Sequence, residues 1–278
     1  MFEYNHFYLI EVVFYFFFKE VLHKVQTALQ FANVDFRYSG TGSSIVENLN
    51  FTIKEGEFVS IIGPSGSGKT TLFRLITGLE NPSSGSVKIN GSASSHRLGS
   101  VGYMPQQDLL LPWRTVYDNV TLPLEMEAAK QSISKEVVFD LLQEFGLKGF
   151  ESSYPSQLSG GMKQRVSFLR TIITGSNILL LDEPFSALDA ITRLTMQEWL
   201  LEKWDKFRKT ILFITHDVDE ALFLSDRIFV VKDAPIQEFT EVSVPLSRPR
   251  KIRDLANQEI VNIKEQLIDQ LRMKVHHG

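Results

Sequence analysis

"GPSGSGKTT", residues 63–71, is the stretch of sequence that decides the fold. It follows "FVSII" at 58–62, a continuous apolar run typical of a strand that is buried on both faces. It precedes "TTLFRLITGL", which has the pattern of a helix. Glycines let backbone N–H groups converge on phosphate oxygens, and the helix that follows presents its N-terminus to the anion. The stretch therefore predicts a phosphate-binding loop in an α/β fold.

The chemistry of this loop falls on its lysine and on the threonine that follows. We expect Lys69 to reach the β- and γ-phosphates of a nucleotide and Thr70 to hold Mg²⁺. The other reading is a glycine turn with a chance lysine, which the strand before and the helix after disfavour. The predicted phosphate-binding residues are Gly63, Pro64, Ser65, Gly66, Ser67, Gly68, Lys69, Thr70 and Thr71.

Two acidic residues end a second apolar run, "ILLLDEP". Ligands of open α/β sheets bind at the carboxyl ends of the strands. We expect Asp182 to complete the Mg²⁺ site and Glu183 to orient and polarise an attacking water. An Asp-Glu pair alone is usually a solvated turn, but beside the lysine loop it favours phosphoryl transfer. His216 in "FITHD" ends another apolar run, where it either senses a γ-phosphate or has a structural role.

A second glycine-rich turn, "QLSGGMKQR" at 157–165, opens a predicted helix over Met162–Ile173. Adjacent glycines cost backbone entropy, so ordinary packing does not explain them. The run "LLLPW", Leu109–Trp113, is also unusual because it lacks helical amphipathicity. It either packs beneath the helical section or lines a surface groove, with Trp113 as an anchor for a partner.

Composition sets broad bounds on the function. The 278 residues carry a net charge of −4, which gives no global sign of a nucleic-acid surface. There is no cysteine, which excludes disulfides and thiolate metal sites.

The order of the patterns predicts an α/β core with a helical insert. Two alternating runs from Ala28 to Lys54 predict antiparallel strands. The section 107–174 reads as mostly helical, with Ser134 as a helix cap and Gly146 just past the last turn of that helix. Strand patterns return around Asp182 and His216 and at 227–231. We interpret 242–251 as a loop and 255–274 as a terminal helix.

Residues 1–27 form an aromatic-rich extension of unknown role. Its apolar run at 7–20 is too short to cross a bilayer, is broken by Glu11 and lacks the features of a signal peptide. Three alternatives stay open: a segment that adds little to function, an extra packed helix, or a contact with a membrane or partner.

Taken together, the motifs resemble those of the nucleotide-binding subunit of an ATP-binding cassette (ABC) transporter, over roughly 28–250. The resemblance implies an α/β fold: a P-loop NTPase, RecA-like core with an antiparallel β subdomain and an inserted α-helical subdomain. It implies an ATPase domain at 28–235, with the helical subdomain at about 107–174, and a C-terminal segment at 236–278. The resemblance depends on "GPSGSGKTT", "MPQQD", "LSGGMKQR", "LLLDEP", "SALD" and "THD".

The same resemblance assigns further roles. Its signature loop corresponds to Leu158–Met162, where Ser159, Gly160 and Gly161 would cap the ATP held by a second copy. Tyr38 would stack on adenine, unless it only packs within its strand. Gln106, or the adjacent Gln107, would reach Mg²⁺ and the attacking water. Ser186–Asp189 would touch the partner copy.

The implied function is ATP hydrolysis, with ATP and Mg²⁺ as cofactors, in an importer on the cytoplasmic face of the membrane. The motifs are most like those of importers for nitrate, sulfonate, taurine or pyrimidine precursors of thiamine. The partners would be a second copy, transmembrane permease subunits and, indirectly, an extracytoplasmic solute-binding protein, with no nucleic acid. The alternatives are a soluble cassette ATPase not coupled to transport, a small-molecule P-loop kinase, and a non-catalytic ATP-binding switch.

Overall fold

The computed structural model describes residues 26–40, 43–126 and 133–272. Among these residues, none of the helices combines the length and the apolar character that a membrane crossing requires. The predicted extension at 1–27 lies outside the described residues except for Gln26 and Thr27, so the alternatives for its role stay open. The predicted division at 235 and the bounds of the helical subdomain also stay predictions.

The first part of the described chain contributes a four-stranded antiparallel sheet. Its long strands alternate buried and exposed side chains, as expected for a sheet with one face on the core. Phe31 lies opposite Phe51, and their rings stack at 4.4 Å between centroids. The sheet order is β2-β1-β4-β5, with strands β1 (Thr27–Arg37), β2 (Ser44–Lys54), β4 (Ser84–Ile89) and β5 (Ser92–Ala93).

A six-stranded sheet forms the centre of the molecule in the order β10-β9-β3-β8-β7-β6. All its pairs are parallel except β10 with β9. The three central strands are buried along their whole length, as their uninterrupted apolar sequences predict. The strands are β3 (Phe58–Ile62), β6 (Gly102–Met104), β7 (Ile178–Asp182), β8 (Thr210–Ile214), β9 (Arg227–Val230) and β10 (Thr240–Ser243).

Helices cover the central sheet and form the middle section of the chain. The α-helices are α1 (Lys69–Thr77), α2 (Val116–Thr121), α3 (Lys135–Glu144), α4 (Gly160–Ile172), α5 (Ala190–Phe207), α6 (Val218–Leu224) and α7 (Gln258–Arg272). Short 3₁₀ turns lie at Leu122–Glu125, Pro155–Gln157 and Ile252–Ala256. The cap predicted for α3 is confirmed, because Ser134 Oγ accepts a hydrogen bond from Val137 N.

The two faces of the central sheet belong to different cores. Phe58, Leu181 and Phe213 pack with the helical section and α5. The alternate residues, such as Ile61 and Leu180, pack with α1 and the antiparallel sheet. Because each central strand is packed on both faces, its end has a fixed position, and so do the residues that directly follow it.

The C-terminal part differs from the prediction in one place. Residues 242–251 were expected to be a loop, but Val242 and Ser243 belong to β10, which pairs antiparallel with β9. The terminal helix is present as α7. Its Ile260 and Leu267 are buried in a cluster that includes Ala221 and Leu222 of α6.

Candidate functional site: the carboxyl edge of the central sheet

The sheet register brings the predicted polar residues to one edge. Ile61 and Asp182 both pair with Ile214, and Met104 pairs with Leu181, so strands β3, β8, β7 and β6 end side by side. The residues just after these ends carry the candidate chemistry, as the rule for parallel sheets predicts. They are Gly63–Thr71, Gln106, Glu183 and His216.

The phosphate loop wraps around its own lysine. Lys69 Nζ donates to the carbonyl oxygens of Gly63 at 2.9 Å and Pro64 at 2.7 Å. Burial lowers the pKa of Lys69, while the nearby carboxylates of Glu183 and Asp182 oppose that shift. The ammonium group therefore lies inside the loop, on the side of the two acidic residues.

Only glycine suits one position of this loop. Gly68 has φ +95°, and a Cβ atom there would lie 2.7 Å from Ile45 Cγ2. Pro64, Ser65, Gly66 and Thr70 are exposed, whereas Ser67, Lys69 and Thr71 are buried. The loop is thus open to solvent at Pro64–Gly66 and packed at Ser67, Lys69 and Thr71, as expected for a loop that binds an anion.

Asp182 ends β7 beside the loop. Burial raises the pKa of its carboxyl group, while hydrogen bonds from the hydroxyls of Thr70 and Tyr103 act in the opposite direction. The Tyr103 hydroxyl lies 3.4 Å from Asp182 Oδ2, and burial raises the pKa of Tyr103 to about 12. The structure therefore places Thr70 and Asp182 together, the two residues predicted to hold a cation.

Glu183, Gln106 and His216 meet at a single carboxylate oxygen. Gln106 Nε2 donates to Glu183 Oε2 at 3.2 Å, and His216 Nδ1 lies 3.2 Å from the same atom. Glu183 also has φ +45°, a backbone conformation that non-glycine residues seldom adopt. Gln106, rather than the neighbouring Gln107, makes this contact.

Tyr38 lies against the base of the phosphate loop. Its hydroxyl is 3.3 Å from Thr71 Oγ1, and its half-exposed ring packs edge-on against Phe36. The ring both packs on Phe36 and is partly exposed, so the adenine-stacking role stays a prediction.

The second glycine turn forms the start of α4. Ser159 caps this helix by accepting a hydrogen bond from Met162 N at 3.3 Å. A Cβ atom on Gly160 would lie 3.2 Å from Leu188, and one on Gly161 would lie 3.0 Å from Thr192. The turn is thus packed on the loop 186–189 and the start of α5, while Ser159 and Gly160 remain exposed.

The loop 186–189 joins Glu183 to α5. Ser186 Oγ donates to the Glu183 carbonyl at 2.9 Å, and Asp189 caps α5 by accepting from Ile191 N and Thr192 N. Ile191, one residue into the helix, is 75% exposed.

The run Leu109–Trp113 divides between the two readings of the sequence. Leu110 is buried in the helical core, while Leu109 and Trp113 are exposed, Trp113 by 71%. Core packing is therefore wrong for Trp113. Arg170 donates to the Leu109 carbonyl, and Asn119 bonds both backbone groups of Leu111, so the backbone of the run is held firmly.

Sequence reasoning missed two sets of residues near the site. Tyr103 is not among the predicted site residues, because its position beside Asp182 depends on β6 lying next to β7 in the sheet. Arg193, Gln197 and Glu220 form contacts behind His216, and no local pattern singles them out.

Comparison with known proteins agrees with this geometry. The family model described as ABC transporter matches residues 46–186. The chain belongs to the ABC transporter family. As an ABC protein it is an ATPase and binds the nucleotide that it hydrolyses. The α/β P-loop fold with its antiparallel and helical parts is thereby confirmed.

Two curated ABC relatives are similar over most of their length. The formylaminopyrimidine import ATP-binding protein ThiZ of Halalkalibacterium halodurans is 47% identical over 235 residues, which cover 84% of this chain and 92% of that protein. The aliphatic sulfonates import ATP-binding protein SsuB 1 of Rhodococcus jostii is 41% identical over 243 residues, covering 87% of this chain and 93% of that protein.

A solved ABC structure shows the same fold. The ATP-binding cassette MJ0796, in a dimeric post-hydrolysis state bound to ADP and Pi, matches with a TM-score of 0.67 and 31% identity. The match covers 79% of this chain and all of that one.

Proposed function

We propose that the chain is the ATP-hydrolysing subunit of an importer, and that it energises the uptake of a small solute through a separate membrane permease. The observation that carries the proposal is the convergence of Lys69, Asp182, Glu183, Gln106 and His216 at one edge of the sheet. The names of the formylaminopyrimidine and sulfonate relatives support import, and a solute of the predicted kinds, namely nitrate, sulfonate, taurine or a pyrimidine precursor of thiamine.

Mg²⁺ fits the donors beside the loop. Asp182 and Thr70 supply a carboxylate and a hydroxyl next to each other, which are the hard oxygen ligands that Mg²⁺ prefers. Among the described residues, no three acidic or histidine side chains form a metal-binding group. A cation here would take its remaining oxygens from phosphates and water, with Gln106 within reach, and would neutralise charge on the phosphates.

The remaining polar residues have roles in phosphoryl transfer. Lys69 would bind the β- and γ-phosphates, and Glu183 would accept a hydrogen bond from the attacking water and polarise it. Gln106 and His216 both contact Glu183 in the nucleotide-free chain. A γ-phosphate offers each of them a stronger charged partner, so its arrival would free Glu183 for the water.

The exposed glycine turn supports a head-to-tail pair of chains. Ser159 and Gly160 present polar groups outward at the N-terminus of a 13-residue helix, where anions are stabilised. In the proposed dimer each turn covers the ATP held by Gly63–Thr71 of the other copy. The dimeric state of the solved MJ0796 cassette is in keeping with this arrangement.

The exposed residues Leu109 and Trp113 support docking to the permease. They lie a few residues after Gln106 on a backbone fixed by Arg170 and Asn119, so a change at the nucleotide can move them as a unit. The chain would therefore be a peripheral protein of the cytoplasmic face, and would meet an extracytoplasmic solute-binding protein only through the permease.

The experiment that tests this function uses Glu183→Gln with Mg-ATP. The variant keeps the shape of the side chain but loses the carboxylate that polarises water, so we expect ATP to be bound but not turned over. Light scattering should then show an accumulated dimer, since ATP binding favours the closed pair until the γ-phosphate is lost.

Glu198→Gln is the matched control, because Glu198 is exposed on α5, away from the carboxyl edge. It should turn over ATP at the parent rate and show no trapped dimer. A Glu183→Gln chain that stays monomeric at saturating Mg-ATP would count against the proposed pair.

A further inference from the structure

Glu220 is a buried carboxyl group that the proposed chemistry does not use. Its Oε2 accepts a hydrogen bond from Thr215 Oγ1 at 2.6 Å, and its Oε1 accepts one from Gln197 Nε2 at 2.9 Å. Burial raises the pKa of Glu220, and the hydrogen bond from Thr215 opposes that shift. The carboxyl group is thus held by one residue of α5 and one that directly follows β8, which fixes its position and that of Thr215, the residue before His216.

Arg193 links this carboxyl group to the loop 186–189. Its Nη2 donates to the Leu188 carbonyl at 3.0 Å. Its Nη1 lies 3.9 Å from Asp217 Oδ2, and its Nε lies 3.9 Å from Glu220 Oε1. Both ion pairs are thus longer than hydrogen bonds.

The Nε atom of Arg193 is buried and makes no hydrogen bond. A buried donor without an acceptor is costly, and here Glu220 Oε1 lies about 1 Å beyond ideal hydrogen-bond distance. A small displacement of the Leu188 carbonyl would let the guanidinium group close on Glu220 and Asp217. The guanidinium group therefore has a second arrangement within reach that satisfies it better.

His216 lies between the two residues that this cluster holds. Thr215 is bonded to Glu220, and Asp217 caps α6 by accepting from Asp219 N and Glu220 N. Both residues beside His216 are therefore held by α6, and α5 reaches the same cluster through Gln197 and Arg193. Helix α5 begins at Ala190, directly after its N-cap Asp189, the last residue of the loop 186–189.

We infer that Arg193 and Glu220 are positioning residues that couple the loop 186–189 to His216. When a second copy contacts this loop, Arg193 closes on Glu220 and Asp217, and the shift brings His216 to the γ-phosphate. The inference rests on the proposed function, because it assumes that His216 meets the γ-phosphate and that two copies pair.

The test is a double-mutant cycle on the full chain with Mg-ATP. Arg193→Met removes the cation, and Glu220→Gln keeps hydrogen-bonding groups but removes the charge that attracts it. Each should lower kcat roughly five- to thirtyfold, with little change in KM or in nucleotide affinity of the monomer. The double variant should be no slower than the slower single variant, because both break one coupling. Arg193→Lys, which keeps the charge, should recover part of the rate.

Lys264→Met is the control, because it changes a different contact to α6. Lys264 lies on α7, and its Nζ donates to Asp219 Oδ2 of α6 at 2.7 Å. Its loss therefore breaks an ion pair of α6 that does not involve α5. We expect parent turnover. Losses that multiply in the double variant, or that are matched by lower melting temperatures, would overturn the inference. If the neutral variants do not fold, Arg193→Lys and Glu220→Asp replace them. Both keep the charge but change the reach between the two groups, so each should lower kcat by less than the neutral variants, and parent rates in both would overturn the inference.

His216→Ala separates this inference from the proposed function. If it abolishes turnover while Arg193→Met and Glu220→Gln keep the parent rate, the coupling is wrong and the proposed function stands. If His216→Ala turns over normally, the role of His216 is wrong and the inference falls with it.

Discussion

The phosphate loop, Gly63–Thr71, and the second glycine turn, Leu158–Met162 (the signature turn), are both glycine-rich, and both open a helix. They differ in whether their polar groups face the interior of the chain or the solvent. In the phosphate loop, Lys69 is buried and donates to Gly63 and Pro64 of its own chain. In the signature turn, Ser159 and Gly160 are exposed, and the Ser159 side chain only caps its own helix. The same composition therefore produces one site that its own chain completes and one that faces outward.

The difference shows how to recognise a shared site in a single chain. A helix N-terminus is suited to an anion wherever it occurs, so composition alone does not say whose ligand it serves. Gly161 is packed from within on Thr192, whereas its neighbours Ser159 and Gly160 are exposed. Breaking each loop in turn should therefore give different kinds of defect.

The largest expected effect comes from Lys69→Ala. The γ-phosphate loses its main side-chain cation, so binding or turnover of ATP should be abolished, a loss of roughly a hundredfold or more. Equilibrium binding of ATP and steady-state hydrolysis measure it. Lys148→Ala, at an exposed position outside both loops, is the control and should behave as the parent. Tight ATP binding with normal turnover in Lys69→Ala would remove the loop from the site.

A smaller and different effect is expected from Ser159→Ala. Turnover should fall roughly ten- to hundredfold, the worth of one hydrogen bond to a charged group, while ATP affinity of the monomer stays close to that of the parent. Ser134→Ala is the matched control, because Ser134 caps α3 in the same way. Both variants should lose about 1 kcal/mol of stability, but only Ser159→Ala should lose turnover. Equal loss of monomer affinity in Ser159→Ala and Lys69→Ala would contradict the head-to-tail assignment.

The sequence predicted the parts of the site that local chemistry encodes. Lys69, Asp182 and His216 each follow an apolar strand, and parallel strands must end at a common edge, so their meeting could be expected. Placing Tyr103 required the order of strands in the sheet, in which β6 is next to β7. Arg193 and Glu220 belong to different helices, and no spacing along the chain connects them.

The error at 242–251 has a related cause. The short strand β10 lies at the edge of the sheet, and Val242 is the single apolar residue among its four, so the sequence shows no apolar alternation there. Its pairing with β9 is a tertiary contact. In the same way, the sequence could not separate Leu110 from Leu109, because the positive φ of Leu109, which precedes the change from exposed to buried, is a property of the backbone.

A still smaller effect is expected in the pH dependence of folding stability. At alkaline pH this dependence should change in Lys69→Met but not in Ser159→Ala. Burial lowers the pKa of Lys69 below its ordinary 10.5, so between the two values the unfolded chain binds more protons than the folded one. Folding stability contributed by this group should rise with pH across that window and level off above it. Lys69→Met should remove this rise, whereas Ser159→Ala should keep it.

Lys209 contributes to the same pH range in every variant. Burial lowers its pKa to about 8, so its contribution also rises with pH and cancels in the difference between variant and parent. Denaturant unfolding of the nucleotide-free chain from pH 8 to 11 measures the difference. Parallel curves for the parent and Lys69→Met would mean that Lys69 is solvated in the free chain.

The smallest effect on the isolated chain is expected at Trp113, which lies in a second outward-facing region. Its ring is mostly exposed, so Trp113→Ala should change stability by no more than about 0.5 kcal/mol and leave ATP hydrolysis intact. Trp199→Ala is the contrast, because that ring packs on Phe145 and Phe168, and its loss should cost about 3 kcal/mol. If Trp113 is an anchor for the permease, its variant should bind the permease roughly thirtyfold more weakly and lose transport. Co-purification with the permease and solute uptake measure this. If assembly with the permease is unchanged and the melting temperature falls by several degrees, Trp113 is a structural residue. The comparison of inward and outward regions would then depend on the glycine turn at 158–162 alone.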